Sequence, residues 1–173
     1  KEEYEKAGLS MNMEKTKYRC IGGESGDLEL ENGEKICECN SYQYLGVKIQ
    51  KDGKDEKEIR QRIGQGRRGI KRLNGIWWSK EITKKRKYNI YNTVIKSIVL
   101  YGAEAWRWTE ADKRRLEAME MDALRRSCGV SRLDRVPNTT IKEIIGLKET
   151  IVQEAEKIQL FWYGHVRKME QHR

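Results

Sequence analysis

Between residues 59 and 77, apolar side chains recur at steps of four and three: Ile59, Ile63, Gly66, Ile70, Leu73 and Trp77. That period marks one face of a long α-helix, and such a face must be buried against other elements. The chain has one Pro in 173 residues, so little interrupts long helices. Downstream, Tyr91, Val94, Ile95, Ile98, Val99, Gly102 and Trp106 line a second helix. Thr109 followed by Asp112 resembles a capping box with the shorter acid, opening a third helix through Leu116, Met119, Ala123 and Leu124. Asn138 or Thr139 caps a short helix ending at Gly146, and Ile151, Ala155, Ile158, Trp162, His165 and Met169 line the last one. Gly64, Gly66 and Gly69 each cost the first helix up to about 1 kcal/mol against Ala. They permit close approach of either a neighbouring helix or a phosphate backbone, and both readings stay open.

The first 53 residues follow a different pattern. Residues 1–8 read as the end of a helix stopped at Gly8, and residues 15–21 have β-type composition before a glycine-rich break over 22–26. Leu28 to Ile36 reads as a hairpin turning at Asn32-Gly33. Its register is open, because a two-residue loop would set Leu30 opposite Lys35 and Ile36 opposite Glu29, with no clean apolar face. Leu45, Val47 and Ile49 alternate with Gly46 and Lys48 as a half-buried strand that ends at Lys51-Asp52-Gly53.

Charge is concentrated. Residues 54–87 carry 13 basic and 4 acidic side chains, a net of +9, equal to that of the whole chain. Residues 1–53 carry a net of −3 and residues 88–173 a net of +3. Arg60, Arg67, Arg68, Lys71 and Arg72 fall off the apolar stripe, and Lys84, Lys85, Arg86 and Lys87 follow at the start of the next helix. A one-signed stripe opposite an apolar face is the footprint of a polyanion-binding surface; the bland alternative is a solvated, solubilising face. Trp77 and Trp78 directly follow the basic helix, and exposed indoles there could stack on bases; Trp77 instead completes the core stripe, and only Trp78 is free for another role.

Little else points to chemistry. No apolar run approaches 18 residues, which argues against a membrane span, and no charged-then-apolar leader marks a secretory signal. The opening Lys1-Glu2-Glu3-Tyr4 lacks Met and reads as a piece of something longer. Cys20, Cys37, Cys39 and Cys128 match no standard zinc spacing, and His165 and His172 lie far from them. Free or buried thiols are expected, with no metal site and no catalytic residue. His165, on the apolar face of the last helix, is expected to be a hydrogen-bonded core residue rather than a general acid or base.

Several motifs then fall into one order. Gly8-Leu9-Ser10-Met11-Asn12-Met13-Glu14-Lys15-Thr16-Lys17 resembles the segment after the catalytic aspartates in the palm of non-long-terminal-repeat (non-LTR, LINE-type) retrotransposon reverse transcriptases. Tyr44-Leu45-Gly46-Val47-Lys48-Ile49 resembles that family's primer-grip strand. Leu100-Tyr101-Gly102-Ala103-Glu104-Ala105-Trp106 is similar to its Tyr-Gly-x-Glu-x-Trp box after the palm. Leu133-Asp134-Arg135 with Asn138, and Trp162 to Met169, match two further boxes. Phe161 stands where the family commonly has Arg, and Pro137 breaks the usual basic run.

The resemblance implies the C-terminal part of such an RNA-directed DNA polymerase: palm end over 1–53 with Tyr44, Leu45 and Gly46 at the primer's 3′ end, basic thumb-like helices over 54–106, and a helical region over 107–173. The expected fold is α+β, mostly α: a small N-terminal β-hairpin and strand part followed by a five-helix thumb-like bundle. The aspartate box that binds catalytic Mg²⁺ in the family lies upstream of residue 1, so this chain alone is expected to hold no cofactor and to be inactive. Its expected partners are an RNA–DNA hybrid or DNA duplex and the remainder of the polymerase, in a nuclear or cytoplasmic, intracellular setting. The alternative function is a non-catalytic helical protein-interaction module derived from a retroelement, with Trp78, Tyr88 and Trp108 as anchors for a protein partner.

Overall fold

A computed structural model describes residues 6–20, 23, 26–30, 32–50 and 52–170. The chain divides into two compact units, Lys1–Asp55 and Glu56–Arg173, the first carrying two antiparallel strand pairs and the second helical. The α+β, mostly α expectation holds.

In the first unit, β1 (Leu28–Glu29) pairs with β2 (Lys35–Ile36), setting Leu28 opposite Ile36 and Glu29 opposite Lys35. The register is settled by a loop one residue longer than the Asn-Gly turn. Leu30 N donates to Glu34 O at 2.8 Å, and Gly33 takes a left-handed φ of 80°. Three-residue hairpin loops commonly end on such a residue. The two apolar side chains now share a face, and the opposite charges face each other at 3.9 Å.

β3 (Ser41–Tyr44) pairs with β4 (Val47–Gln50), Tyr42 opposite Ile49 and Tyr44 opposite Val47. Leu45 and Gly46 are therefore the turn, with φ of 47° and 82°. Two successive positive φ values are those of the tight hairpin turn that follows strand twist. This corrects the sequence reading: Leu45 is not an inward strand residue, and its side chain is 73% exposed. Residues 15–20 do not make a strand. Tyr18 forms a single bridge to Glu38, with Cys39 N donating to Tyr18 O at 3.0 Å. Residues 1–5 of the helix end expected over 1–8, the break at Gly22, Glu24 and Ser25, the end of the β-type stretch at Ile21 and the strand end at Lys51 lie outside the described residues.

The second unit contains α1 (Glu56–Arg72), α2 (Asn74–Trp78), α3 (Lys84–Ile90), α4 (Ser97–Val99), α5 (Glu110–Ser127), α6 (Asn138–Ile145) and α7 (Ile151–Glu170). The stripe predicted for the first helix is buried at Ile59, Ile63, Ile70 and Trp77. The helix itself is not continuous to Trp77. It breaks at Leu73 (φ −92°, ψ 16°), and Trp77 Nε1 donates back to Ile70 O at 2.8 Å across the break. The second expected helix is also modified. Tyr91–Lys96 form a π-helical segment joining α3 to α4. Tyr91, Ile95, Val99 and Ala103 all have zero exposure. A strict step of four drifts about 40° per step around a regular α-helix, and the wider π turn takes that drift back. Val94, expected on the same face, is left 41% exposed. The chain leaves the helix before Gly102, and Ala103–Ala105 form a short 3₁₀ turn.

The capping box is as read: the Thr109 hydroxyl accepts from Asp112 N, and Asp112 Oδ2 accepts from Thr109 N at 3.1 Å. From there Leu116, Met119, Ala123 and Leu124 enter the same core as Ile141, Ile151 and Ala155. The cap expected at Asn138 or Thr139 is absent. Pro137 precedes α6 without a side-chain cap, and Asn138 Oδ1 accepts from Arg125 Nη2 at 2.7 Å instead.

Two buried ionic groups pin this core. Arg62 donates to Glu58 at 2.6 Å and lies 4.6 Å above the Tyr101 ring. Glu120 accepts from Ile151 N at 3.1 Å and from the Tyr91 hydroxyl at 3.3 Å. Burial raises its carboxyl above the ordinary range, and those two bonds and the nearby Lys96 do not offset it.

Candidate nucleic-acid interface

α1 is amphipathic because its Ile positions fall every three or four residues and its cations occupy the intervening ones. Arg60, Arg67, Arg68, Lys71 and Arg72 are all exposed. From Arg60 to Arg72 the helix rises by about 18 Å, which matches roughly five base-pair steps of a nucleic-acid strand at 3.4 Å each. Arg60 is tied to Glu56 at 2.5 Å, and Glu56 also meets Arg115 at 3.2 Å. Arg67, Arg68, Lys71 and Arg72 have no ion-pair partner among the described residues. These four remain able to meet an external anion.

The glycines of α1 divide by what surrounds them. A Cβ at Gly66 would lie 2.4 Å from Val99 Cγ2 and 3.3 Å from Met119 Sδ. At Gly69 it would lie 2.8 Å from Ile95 Cδ1. Both therefore serve the close approach of neighbouring helices. Gly64 meets only Arg68 Nη1, at 3.8 Å.

Lys84, Lys85 and Arg86 are exposed in the first turn of α3, behind the Thr83 cap and with no acid beside them. Cations at the positive end of a helix are placed against the dipole, and an anion there would relieve that repulsion. Lys87 departs from the sequence expectation. Its ammonium is turned inward, only 5% of the residue is exposed, and Nζ donates to Trp77 O at 2.6 Å and Ser127 O at 3.4 Å. It ties the end of α2 to the end of α5, and burial lowers its pKa below the ordinary Lys value. Lys87 is a structural clamp and is removed from the candidate interface.

In the first unit, Tyr44, Leu45 and Gly46 form the tip of the β3–β4 hairpin, with Tyr44 57% exposed. A leucine held at positive φ and turned to solvent is an uncommon combination, and such strained positions cluster at functional sites.

Of the aromatic candidates, Trp77 is buried and Trp78 is 43% exposed. Tyr88 is half-buried and stacked on Tyr91 at 6.4 Å, and Trp108 is half-buried and edge-on to Trp106 at 6.1 Å. His165 is exposed beside Trp162, 5.6 Å between ring centres, and does not enter a core as the sequence suggested. The reason is that only the first half of α7 is covered. Leu160, Phe161, Trp162 and Tyr163 are exposed at successive positions around the helix.

Three residues of a second basic surface had no sequence signal. Arg125, Arg126 and Arg132 sit at and beyond the end of α5 and line a cleft that reaches Trp78. They are split by the turn at Cys128–Gly129, so no period links them to one another or to a tryptophan some fifty residues earlier.

The four cysteines are free thiols, and no cluster of three or more His, Cys, Asp or Glu able to hold a metal occurs among the described residues. Among those residues, no helix is long and apolar enough to cross a membrane. No family model, curated protein or solved structure matches this chain.

Proposed function

We propose that this chain is a sequence-tolerant primer–template-binding part of a non-LTR retrotransposon reverse transcriptase, an RNA-directed DNA polymerase, and that α1 holds the duplex. The observation that carries the reading is the exposed row Arg67, Arg68, Lys71 and Arg72, without partners among the described residues, on a helix whose opposite face is buried at Ile59, Ile63 and Ile70. A polymerase must hold any sequence, so its grip contacts phosphates and sugars rather than base edges; guanidinium and ammonium groups on a rigid helix do that without reading bases. Arg60, after release from Glu56, and Lys84, Lys85 and Arg86 extend the same charge. The hairpin tip at Tyr44, Leu45 and Gly46 is the primer-end contact in this reading. In this reading catalytic Mg²⁺ is held by aspartates of the parent polymerase, and the part played by the residues described above is the grip. The setting is intracellular, where the template is made.

The uncovered half of α7, with Leu160, Phe161, Trp162 and Tyr163, favours a second reading: a non-catalytic module whose partner is a protein. Salt separates the two. Fluorescence anisotropy with a labelled RNA–DNA primer–template should give a log–log salt slope of about −4, one phosphate for each of four free cations. Arg67→Glu with Lys71→Glu should weaken binding at least about tenfold at low salt. A flat salt response, or binding indifferent to the double reversal, would refute the duplex grip and leave the protein-binding reading.

A further inference from the structure

We propose that a second nucleic-acid site crosses the end of α5: a groove that takes an unpaired single strand, with one base stacked on Trp78 and its phosphates on Arg125, Arg126 and Arg132. The proposal rests on the reading of this chain as a nucleic-acid-binding part of a polymerase, and it adds a second class of substrate, single strand beside duplex.

Three clefts run together here. One of about 610 Å³ lies between the segment after α2 and the turn after α5, lined by Trp78, Lys80, Lys84 and Cys128 among others. The next, about 230 Å³, shares Trp78 and adds Asp122, Arg125, Arg126 and Arg132. The last, about 440 Å³, shares Arg125 and Arg132 and extends to Arg114 and Asn138. A cleft of the first size accepts a group as large as a nucleotide.

The chemistry of the walls selects the occupant. Arg125 Nη2 donates to Val136 O and to Asn138 Oδ1, both at 2.7 Å, which fixes the guanidinium plane. Its Nη1 is buried and has no acceptor among the described residues. A buried donor without an acceptor is costly; a small turn of the side chain that opens Nη1 to the cleft would let a phosphate oxygen take the remaining side of the fork. Arg132 is exposed with no ion-pair partner among the described residues. Arg126 is held in place by Asp122 at 3.2 Å and Asn74 at 2.7 Å. Cations along a groove that ends on an exposed indole are the pairing that binds single strands, because the backbone follows the charge and a base lies on the ring. Within a duplex the base faces are already stacked, so apart from a blunt end's terminal pair it is an unpaired base that can use Trp78. An acidic peptide offers carboxylates to the arginines and lacks the flat base for the indole.

The test compares, by anisotropy at one salt concentration, a blunt RNA–DNA duplex with the same duplex bearing a single-stranded overhang of about six nucleotides. The intact chain should bind the overhang form about tenfold more tightly. Trp78→Ala and Arg132→Glu should each remove that gain while leaving affinity for the blunt duplex unchanged, and Trp78→Phe should retain part of it. Unchanged circular dichroism and melting show that the variants are folded. Equal affinity of the intact chain for the two duplexes would overturn the proposal, as would a gain that survives in Trp78→Ala. Displacement of the overhang by polyglutamate as effective as by a thymidine oligonucleotide would also overturn it. Reversal of Arg67 and Lys71 reports on α1 separately: it should weaken both duplexes alike and leave the overhang gain intact, so failure of the α1 grip and failure of the groove are read from different measurements.

Discussion

Replacing Gly66 by Ala, beside the same change at Gly64, isolates what the glycines of α1 do. On helix propensity alone, each exchange should stabilise the protein by up to about 1 kcal/mol. Gly64 is open enough for that gain, since a new methyl would meet only Arg68 Nη1 at 3.8 Å. At Gly66 the methyl would lie 2.4 Å from Val99 Cγ2 and 3.3 Å from Met119 Sδ. Carbon atoms rest at about 3.5–4.0 Å, so the overlap with Val99 exceeds an ångström. Val99 has zero exposure and a stiff β-branched side chain, which leaves it little room to turn away. Overpacking of this kind costs about 1–3 kcal/mol. After the propensity gain, Gly66→Ala should destabilise by up to about 2 kcal/mol, a fall in Tm of up to roughly 8 °C, while Gly64→Ala raises Tm by up to about 4 °C. Thermal unfolding followed by circular dichroism, with urea titrations at constant slope, reads both. Adding Val99→Ala to Gly66→Ala removes the overlapping methyl, so the double variant should be more stable than the sum of the single changes by about 1 kcal/mol. If both glycine exchanges shift Tm in the same direction, α1 and α4 do not approach each other through Gly66, and the packing account fails.

Two further expectations concern the ends of elements. Burial raises Asp112, but hydrogen bonds from the Thr109 hydroxyl and amide and from Arg115 outweigh it and hold the carboxyl below its ordinary 3.8. Its stabilisation is therefore present above pH 4 or so and lost as pH falls through the lowered native value. Asp112→Ala should cost about 1–2 kcal/mol at pH 7, and the gap between the two unfolding curves should narrow as pH falls below the ordinary carboxylate range; a gap independent of pH would rule out the charge as its source. Leu45→Asn, which makes the turn Asn-Gly, should relieve the left-handed leucine and stabilise the β3–β4 hairpin by about 1 kcal/mol. Slower amide exchange across Tyr42–Ile49 would report it, and faster exchange would show that the leucine side chain supports the hairpin.

The helical half was legible because its signal is local. Ile59, Ile63, Ile70 and Trp77 are spaced so that any helix would align them, and Thr109 with Asp112 caps a helix through bonds three residues apart. Where the reading went astray, the deciding partner lay far along the chain. Lys87 has the same composition around it as Lys84, Lys85 and Arg86, yet its ammonium meets the carbonyl of Ser127, 40 residues on. His165 lies on a periodic apolar face like the others, but only the first half of α7 finds helices to cover it. Alternation alone puts Leu45 in a strand. A register shift of one residue exchanges the faces of a strand, and the Gly46 turn decided it.

The charge excess of residues 54–87 reaches the surface almost entire, for a reason that composition already contains. Folding buries Arg62, but buries Glu58 with it, so that exchange is neutral. Only Lys87 is withdrawn without an acid, because main-chain carbonyls satisfy it. The segment's surface therefore keeps nearly all of the excess counted in the sequence. Burying an unpaired cation is costly enough that it happens seldom, so a large one-signed excess must appear outside whatever the fold. What composition cannot locate is the second ingredient, a fixed donor lacking an acceptor beside an exposed indole. Arg125 and Trp78 come together only after α5 has packed against α2. A surface that merely repels its own charge tolerates reversal of Arg132 without consequence; a groove that grips a strand does not, and that difference is measurable.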